Sequence, residues 1–136
     1  MSRAKIVQEK IIERDTPFLA IYLETKNASL VFLSEGEDQL GTLAVAIPQA
    51  QKMVGPPLSS VLLGDRNMMI ARILAERLAE RTKKIALVSV FSKTVSEREA
   101  GSIFLKLVEK TIKTEEGKKR VFEVFLRKWK KEKLFM

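Results

Sequence analysis

Short apolar runs and turn-forming residues alternate through most of the chain, and this pattern predicts β-strands. Six runs have the length and composition of strands: 4–14, 18–24, 29–34, 42–47, 59–63 and 85–90. Turn residues at 26–28 join the second and third runs into a predicted hairpin. The fourth run is apolar at almost every position, so we expect it to lie centrally in a sheet.

The stretch 62–90 predicts a strand, a tight turn, a helix and another strand. Gly64 accepts turn angles that other residues resist, and Asp65 is placed to cap a helix over 66–83. That helix contains no Pro or Gly. Its apolar face, expected to lie on the sheet, comprises Ile70, Ala71, Leu74, Ala75 and Leu78.

Two more helices are predicted after the last strand. Ser96 and Glu99 form a capping box at the start of the second helix, which we expect to end at 115–117. A third helix is predicted over 118–133. Its apolar side comprises Val121, Phe122, Phe125, Leu126 and Trp129.

These elements predict an α+β fold with a mainly antiparallel six-stranded sheet and two or three helices packed on it. A length of 136 residues is typical of one domain with a real core. Within the single domain 1–136 we distinguish a core, 1–114, from a basic C-terminal helix and tail, 115–136.

Composition removes several classes of chemistry. The chain has no cysteine and no histidine, so it has neither disulfides nor thiolates and lacks the commonest general base and metal ligand. No apolar run reaches membrane-spanning length and the N-terminus does not resemble a signal peptide, so we expect a cytoplasmic protein without a membrane partner. The many Lys and Glu residues, with few Asn and Gln, are typical of a thermophile.

No motif indicates catalysis. Gly64–Asp65 before a helix could suggest a phosphate site, yet no glycine-rich phosphate motif is present and Asp65 is itself negative. The carboxylate pairs Glu76/Glu80 and Glu97/Glu99 fall on predicted solvated helix surface. We therefore predict no enzyme activity and no catalytic, cofactor or metal site.

Four motifs in a constant order resemble the proteasome assembly chaperone 4 family. They are the strand 43–47 (LAVAI), the turn 60–65 (SVLLGD), the helix 74–84 (LAERLAERTKK) and Val88–Ser89. Residues Phe104, 107–109 and 112–113 resemble the family's last helix, so the resemblance covers 29–113 with a short insertion near Pro56–Pro57.

The resemblance implies the fold of proteasome assembly chaperones and a small non-enzymatic chaperone, here of the archaeal type. It implies that the protein works as an oligomer, a dimer in the family, and binds proteasome α-subunits or other assembly-chaperone homologues. Met69 and Ile73 project away from the apolar stripe of the first helix. They indicate either a wide buried face, or contact with the C-terminal helix, or a protein interface in which Met suits an adaptable contact.

The C-terminal region is strongly basic. Residues 113–136 contain 9 Lys and Arg against 4 Asp and Glu, a net +5 of the chain's +8. Its helix could close the core, bind nucleic acid or an anionic membrane, or dock on an acidic protein. Nucleic-acid binding is the alternative function, although the strands hold few basic residues. The residues assigned to an interface are Phe125, Lys128, Trp129, Lys130 and Lys131.

The chain ends in Leu134, Phe135 and Met136. This tail resembles the hydrophobic–tyrosine–any tails with which proteasome activators and some assembly chaperones enter pockets between α-subunits, but Phe135 replaces the tyrosine. We therefore assign these three residues to a candidate interface, with an apolar helix end folded on the core as the structural alternative.

Overall fold

A computed structural model describes residues 3–49 and 57–134, and the side chains of 115–123 and 132–134 lie outside that description. The described chain forms six strands and two helices. Their bounds are β1 Lys5–Glu13, β2 Thr16–Glu24, β3 Ala28–Glu35, β4 Thr42–Ile47, β5 Leu58–Leu63, α1 Met68–Thr82, β6 Ile85–Phe91 and α2 Glu97–Leu134. The predicted α+β class is confirmed.

The six strands form one sheet in the order β1-β2-β3-β6-β4-β5. Every neighbouring pair is antiparallel except β3 and β6, which run parallel. The predicted hairpin of β2 and β3 is confirmed, and β4 lies inside the sheet between β6 and β5. A two-residue turn joins β1 to β2, with Arg14 and Asp15 both at positive φ, as tight hairpins require.

The stretch from β5 through α1 to β6 crosses over β4. Small residues on both sides let the helix lie close to the sheet, because alanine side chains add little thickness. All of these small residues are wholly buried; they are Ala44, Ala46 and Ala86 on the sheet and Ala71, Ala75 and Ala79 on the helix. This part of the prediction, including the apolar face of α1, is confirmed.

The start of α1 differs from the prediction. Asp65 is not the N-cap, because α1 begins at Met68 and its N-cap is Asn67 at φ 64° with no side-chain cap bond. The amide of Asn67 instead donates to Ser92 Oγ over 2.8 Å, which ties the turn to the end of β6. Gly64 has φ +92°, and a Cβ there would lie 2.7 Å from the Cα of Thr42. Three residues, 65–67, thus separate Gly64 from the first residue of α1.

The second helix also differs from the prediction. The break at 115–117 is wrong, since α2 continues for 38 residues through Gly117. A helix of this length spans about 57 Å. One interior glycine costs only about 1 kcal/mol relative to alanine, which the helix-forming Glu and Lys neighbours offset. Ser96 does cap α2, because its Oγ accepts the N–H of Glu99 over 3.2 Å.

A single core lies between the two helices and one face of the sheet. Phe18 of β2 meets Phe104 of α2 edge to face, with ring centroids 5.7 Å apart. Further along α2, Leu107 and Val108 are buried against the same face, and Ile112 ends this buried series. Only the first part of α2 thus contributes side chains to the described core.

A buried carboxylate fixes the loop between β6 and α2. Glu35, 3% exposed, accepts bonds from the backbone N–H groups of Lys93 and Thr94 and from the Thr94 hydroxyl, each over 3.0 Å. Burial alone would raise the pKa of this carboxyl, but the bonds from Thr94 and Lys93 outweigh burial and lower its pKa below 4.5. Glu35 therefore stabilises the fold as a charged group.

Substituting Glu35→Gln tests this assignment through pH. The folded-state pKa of Glu35 lies below the usual value of 4.5. The stability that the ionised carboxylate contributes to the folded protein is therefore fully present above pH 4.5, and it is lost as the pH falls through the folded-state pKa. At pH 7 the wild type should exceed the variant in free energy of unfolding by about 1–3 kcal/mol. Urea titrations should show this difference closing in acid. Glu37→Gln, on an exposed neighbour, is the control, and a difference for Glu35→Gln that persists in strong acid would contradict the assignment.

Candidate protein-interaction surfaces

The sheet is apolar on both faces, but the helices cover only one. The face away from the helices, here called the open face, carries large half-buried side chains on four adjacent strands. Its members are Leu19, Ile21 and Leu23 of β2, Leu30 and Phe32 of β3, Leu87 of β6, and Leu43 and Val45 of β4. The pairing register places all eight on the same side of the sheet, with no described helix or strand packed on them.

The rim of the open face is also apolar. Exposed residues there include Ile6 and Ile12 of β1, each 63% exposed, and Leu58 of β5, 70% exposed. The described charges on this face include Lys10 of β1, which pairs with Leu19, and Asp38 of the loop between β3 and β4, which lies beside them. A solvated sheet face normally alternates with polar side chains. A contiguous apolar face of this width is typical of a protein interface.

One end of the open face is closed by the loop between β3 and β4. Ser34 and Ser89 are wholly buried there and both bind this loop. Ser89 Oγ accepts the N–H of Gly41 over 2.8 Å, and Ser34 Oγ accepts the N–H of Gln39 over 3.0 Å. A Cβ on Gly41 would lie 2.1 Å from the carbonyl oxygen of Val90, so only glycine lets the loop cross β6 this closely.

The predicted helix residues Met69 and Ile73 form a second apolar surface. They are 68% and 53% exposed on the side of α1 opposite the sheet. Neither a wide buried face nor a contact with α2 accounts for them, because α1 meets α2 through other residues. Arg77 and Arg81 bind the two carboxylate oxygens of Glu109 over 2.7 and 3.3 Å. Met69 and Ile73 therefore stay candidates for an interface.

The described contact between α1 and α2 has an apolar and an ionic part. Ile70 of α1 lies so close to Gly101 of α2 that a Cβ there would be 3.3 Å from Ile70 Cδ1, and Glu109 supplies the ionic part. Burial alone would raise the pKa of Glu109, but the hydrogen bond and charge of Arg77, followed by the charge of Arg81, outweigh it and lower the pKa. Glu109 therefore stays ionised at neutral pH. It links the outer flanks of the two helices while their inner faces bury apolar side chains.

The second half of α2 forms a third surface. Phe125 is 63% exposed and Trp129 45% exposed, and Lys128, Lys130 and Lys131 are exposed beside them. Of the alternatives left open for this half, closing the core does not fit its described side chains, none of which belongs to the core. Leu134 is the last residue of α2, and its side chain, with Phe135 and Met136, lies outside the described residues.

The residues predicted to form an interface thus do not converge on one site. Met69 and Ile73 lie on the outside of α1, whereas Phe125 and Trp129 lie on the second half of α2. Sequence reasoning missed the open face. A signal was available, because β2 reads Phe-Leu-Ala-Ile-Tyr-Leu without a polar residue at either alternation.

Metal-ion clusters and membrane-spanning helices are not found among the described residues. These residues contain no cluster of three or more His, Cys, Asp or Glu side chains placed to hold a metal ion. No helix within them carries an apolar stretch long enough to cross a bilayer.

Comparison with known proteins gives a family and a fold. The family model described as proteasome assembly chaperone 4 matches residues 18–90, more than half of the chain. A yeast structure, described as a novel chaperone complex for 20S proteasome assembly, superimposes with a TM-score of 0.61. It shares 16% sequence identity, and the match covers 84% of this chain and 96% of that one. No curated protein sequence gives a significant match.

Proposed function

The chain belongs to the proteasome assembly chaperone 4 family, and from this membership we propose that it is a non-enzymatic assembly chaperone that works as an oligomer. Its proposed partners are proteasome α-subunits or other assembly-chaperone homologues. The family is a chaperone family, and the yeast structure with the same fold was solved as a chaperone complex for proteasome assembly.

The open face is the observation that supports association most strongly. Large apolar side chains on four strands remain half-exposed in the single chain, and their hydration is unfavourable. Sheets pack face to face about 10 Å apart by interdigitating such side chains. A second copy that apposes its own open face would cover both faces and place both helix layers outside. We therefore propose a homodimer in which the two sheets form a sandwich.

Phe32 provides the test, because it lies centrally on the open face and outside the core of the single chain. Phe32→Glu should leave the fold intact and prevent association, since a carboxylate would be buried unpaired between two sheets. Sedimentation equilibrium should give the mass of a dimer for the wild type and of a monomer for the variant, with unchanged far-UV circular dichroism.

Ile73→Glu is the matched control, with the same new charge on the exposed surface of α1. If it dissociates the protein while Phe32→Glu does not, the interface lies on α1, as the sequence analysis allowed. A dimer that survives both substitutions would contradict the role of the open face.

The second part of the proposal concerns α-subunits. Tagged protein should recover proteasome α-subunits or assembly-chaperone homologues from native extract. If the tail is the anchor, deleting 134–136 should abolish α-subunit recovery, because it removes the apolar side chains of Leu134 and Phe135 and shifts the carboxylate away from their position. Neutralising Lys128, Lys130 and Lys131 should then mainly slow association and reduce its salt dependence. Full recovery by the deletion variant would rule out the tail, and recovery of neither class by the wild type would contradict the proposed partners.

A further inference from the structure

We propose that residues 124–131 of α2, here called the arm, form a docking site for an acidic amphipathic helix of a partner protein. This inference deepens the proposed function by giving the chemistry of a partner, and it rests on that function only in taking a protein as the ligand. It is independent of the open face, which lies on other elements.

The first observation is the phase of the arm's apolar side chains. Eighteen residues make about five turns of an α-helix, so residues eighteen apart share one face. Phe125, Leu126 and Trp129 therefore continue the face of the residues eighteen positions earlier. Those three residues, each at most 1% exposed, are Leu107, Val108 and Thr111. The arm repeats the face that α2 buries, yet Phe125 is 63% exposed.

The second observation is where the described sheet contacts of α2 lie. Lys110 Nζ donates to the backbone carbonyl of Lys10 over 3.1 Å, and Thr114 Oγ donates to Glu9 Oε1 over 2.9 Å. Among the described side chains, Ile112 is the last that belongs to the core. The arm begins ten residues after Thr114, about 15 Å further along the helix. Its apolar face continues the direction in which the first half of α2 faces the sheet. An occupant would take the place that β1 and β2 hold beneath that first half.

The third observation is charge, which selects the occupant. Residues 124–131 contain four basic residues and no acidic one. At about 100° per residue, Lys128 and Lys130 fall on opposite flanks of the Phe125–Trp129 stripe. Two arms of this chain would place like charges together, so a second copy is disfavoured. A helix with Glu or Asp bordering an apolar stripe complements both flanks and the stripe between them.

The apolar stripe also separates this occupant from nucleic acid. Phosphate contacts use Lys and Arg and do not require a buried aliphatic or aromatic surface. Val124 and Phe125 are more than 60% exposed on the arm. A protein helix would cover Phe125, whereas a duplex held through phosphates would leave it in water.

Fluorescence anisotropy with synthetic helices tests the proposal on the full-length protein. The probe is a labelled peptide of about three heptads with Leu at two positions per heptad and Glu at the flanking positions. The matched peptide carries Lys in place of Glu. The wild type should bind the Glu peptide and not the Lys peptide. Lys128→Glu with Lys130→Glu should exchange this preference, and Phe125→Ser should weaken Glu-peptide binding by about tenfold or more.

Controls on the first half of the same helix keep the result specific. Arg98→Glu with Lys106→Glu, and separately Leu105→Ser, change exposed residues of matched types outside the arm. These variants should bind the Glu peptide like the wild type, as should Phe32→Glu, which separates this test from association through the open face. Loss of both peptides, equal binding of both, or tight duplex DNA or RNA binding that Phe125→Ser leaves unchanged would overturn the proposal.

Discussion

The structure depends on a sheet that is apolar on both faces with a helix layer on only one. On the covered face, alanines of β4 and β6 meet alanines of α1, and Phe18 meets Phe104 of α2. On the open face, Phe32 and Leu87 have no described element above them. Burial of apolar surface is the dominant favourable term in folding and association. Side chains alternate between the two faces of these apolar strands, so the strands that build the core of one chain also leave an apolar open face. A second layer packed on that face would bury it.

Much of the fold was accessible from sequence because strand and helix periodicities are local. The pattern placed all six strands, the hairpin of β2 and β3, and the apolar face of α1. Two predicted helix ends were wrong, one for a tertiary and one for a local reason. Asp65 is not the cap of α1, because the turn continues to Asn67, whose side chain is bound to Ser92 at the end of β6. Gly117 did not end α2, because no proline follows it and strong helix formers surround it.

The candidate interaction surfaces are harder to predict from the sequence than the fold is. Continuous apolarity in β4 predicts a central position in the sheet, and β4 is indeed an inner strand. The pattern does not show what covers the second face of the sheet, because that depends on both helices packing on the same side. Likewise, the helical pattern alone does not show whether Met69 and Ile73 are exposed or buried. Their exposure depends on which residues of α1 meet α2, namely Ile70, which lies against Gly101, and the two arginines that bind Glu109.

Family membership and geometry lead to the same kind of molecule. A proteasome assembly chaperone needs surfaces that bind proteins, and the open face, α1 and the arm are the candidates for them that the described chain carries. Their chemistry differs: the open face is largely apolar, whereas the arm joins an apolar stripe to lysines. A broad apolar face suits a stable, self-complementary contact, and a charged arm suits a partner that is steered and released.

The accessibility of the open face in solution tests the central claim most directly. Methyl NMR with a soluble paramagnetic agent reports which side chains meet solvent. The methyl signals of Leu19, Val45 and Leu87 on the open face should be protected from the agent to the same extent as those of Leu74 in the core. The exposed methyl groups of Ile73 should broaden. Dilution below the association range should expose the three open-face residues together. Broadening of these residues to the same extent as Ile73 at every concentration would contradict the account.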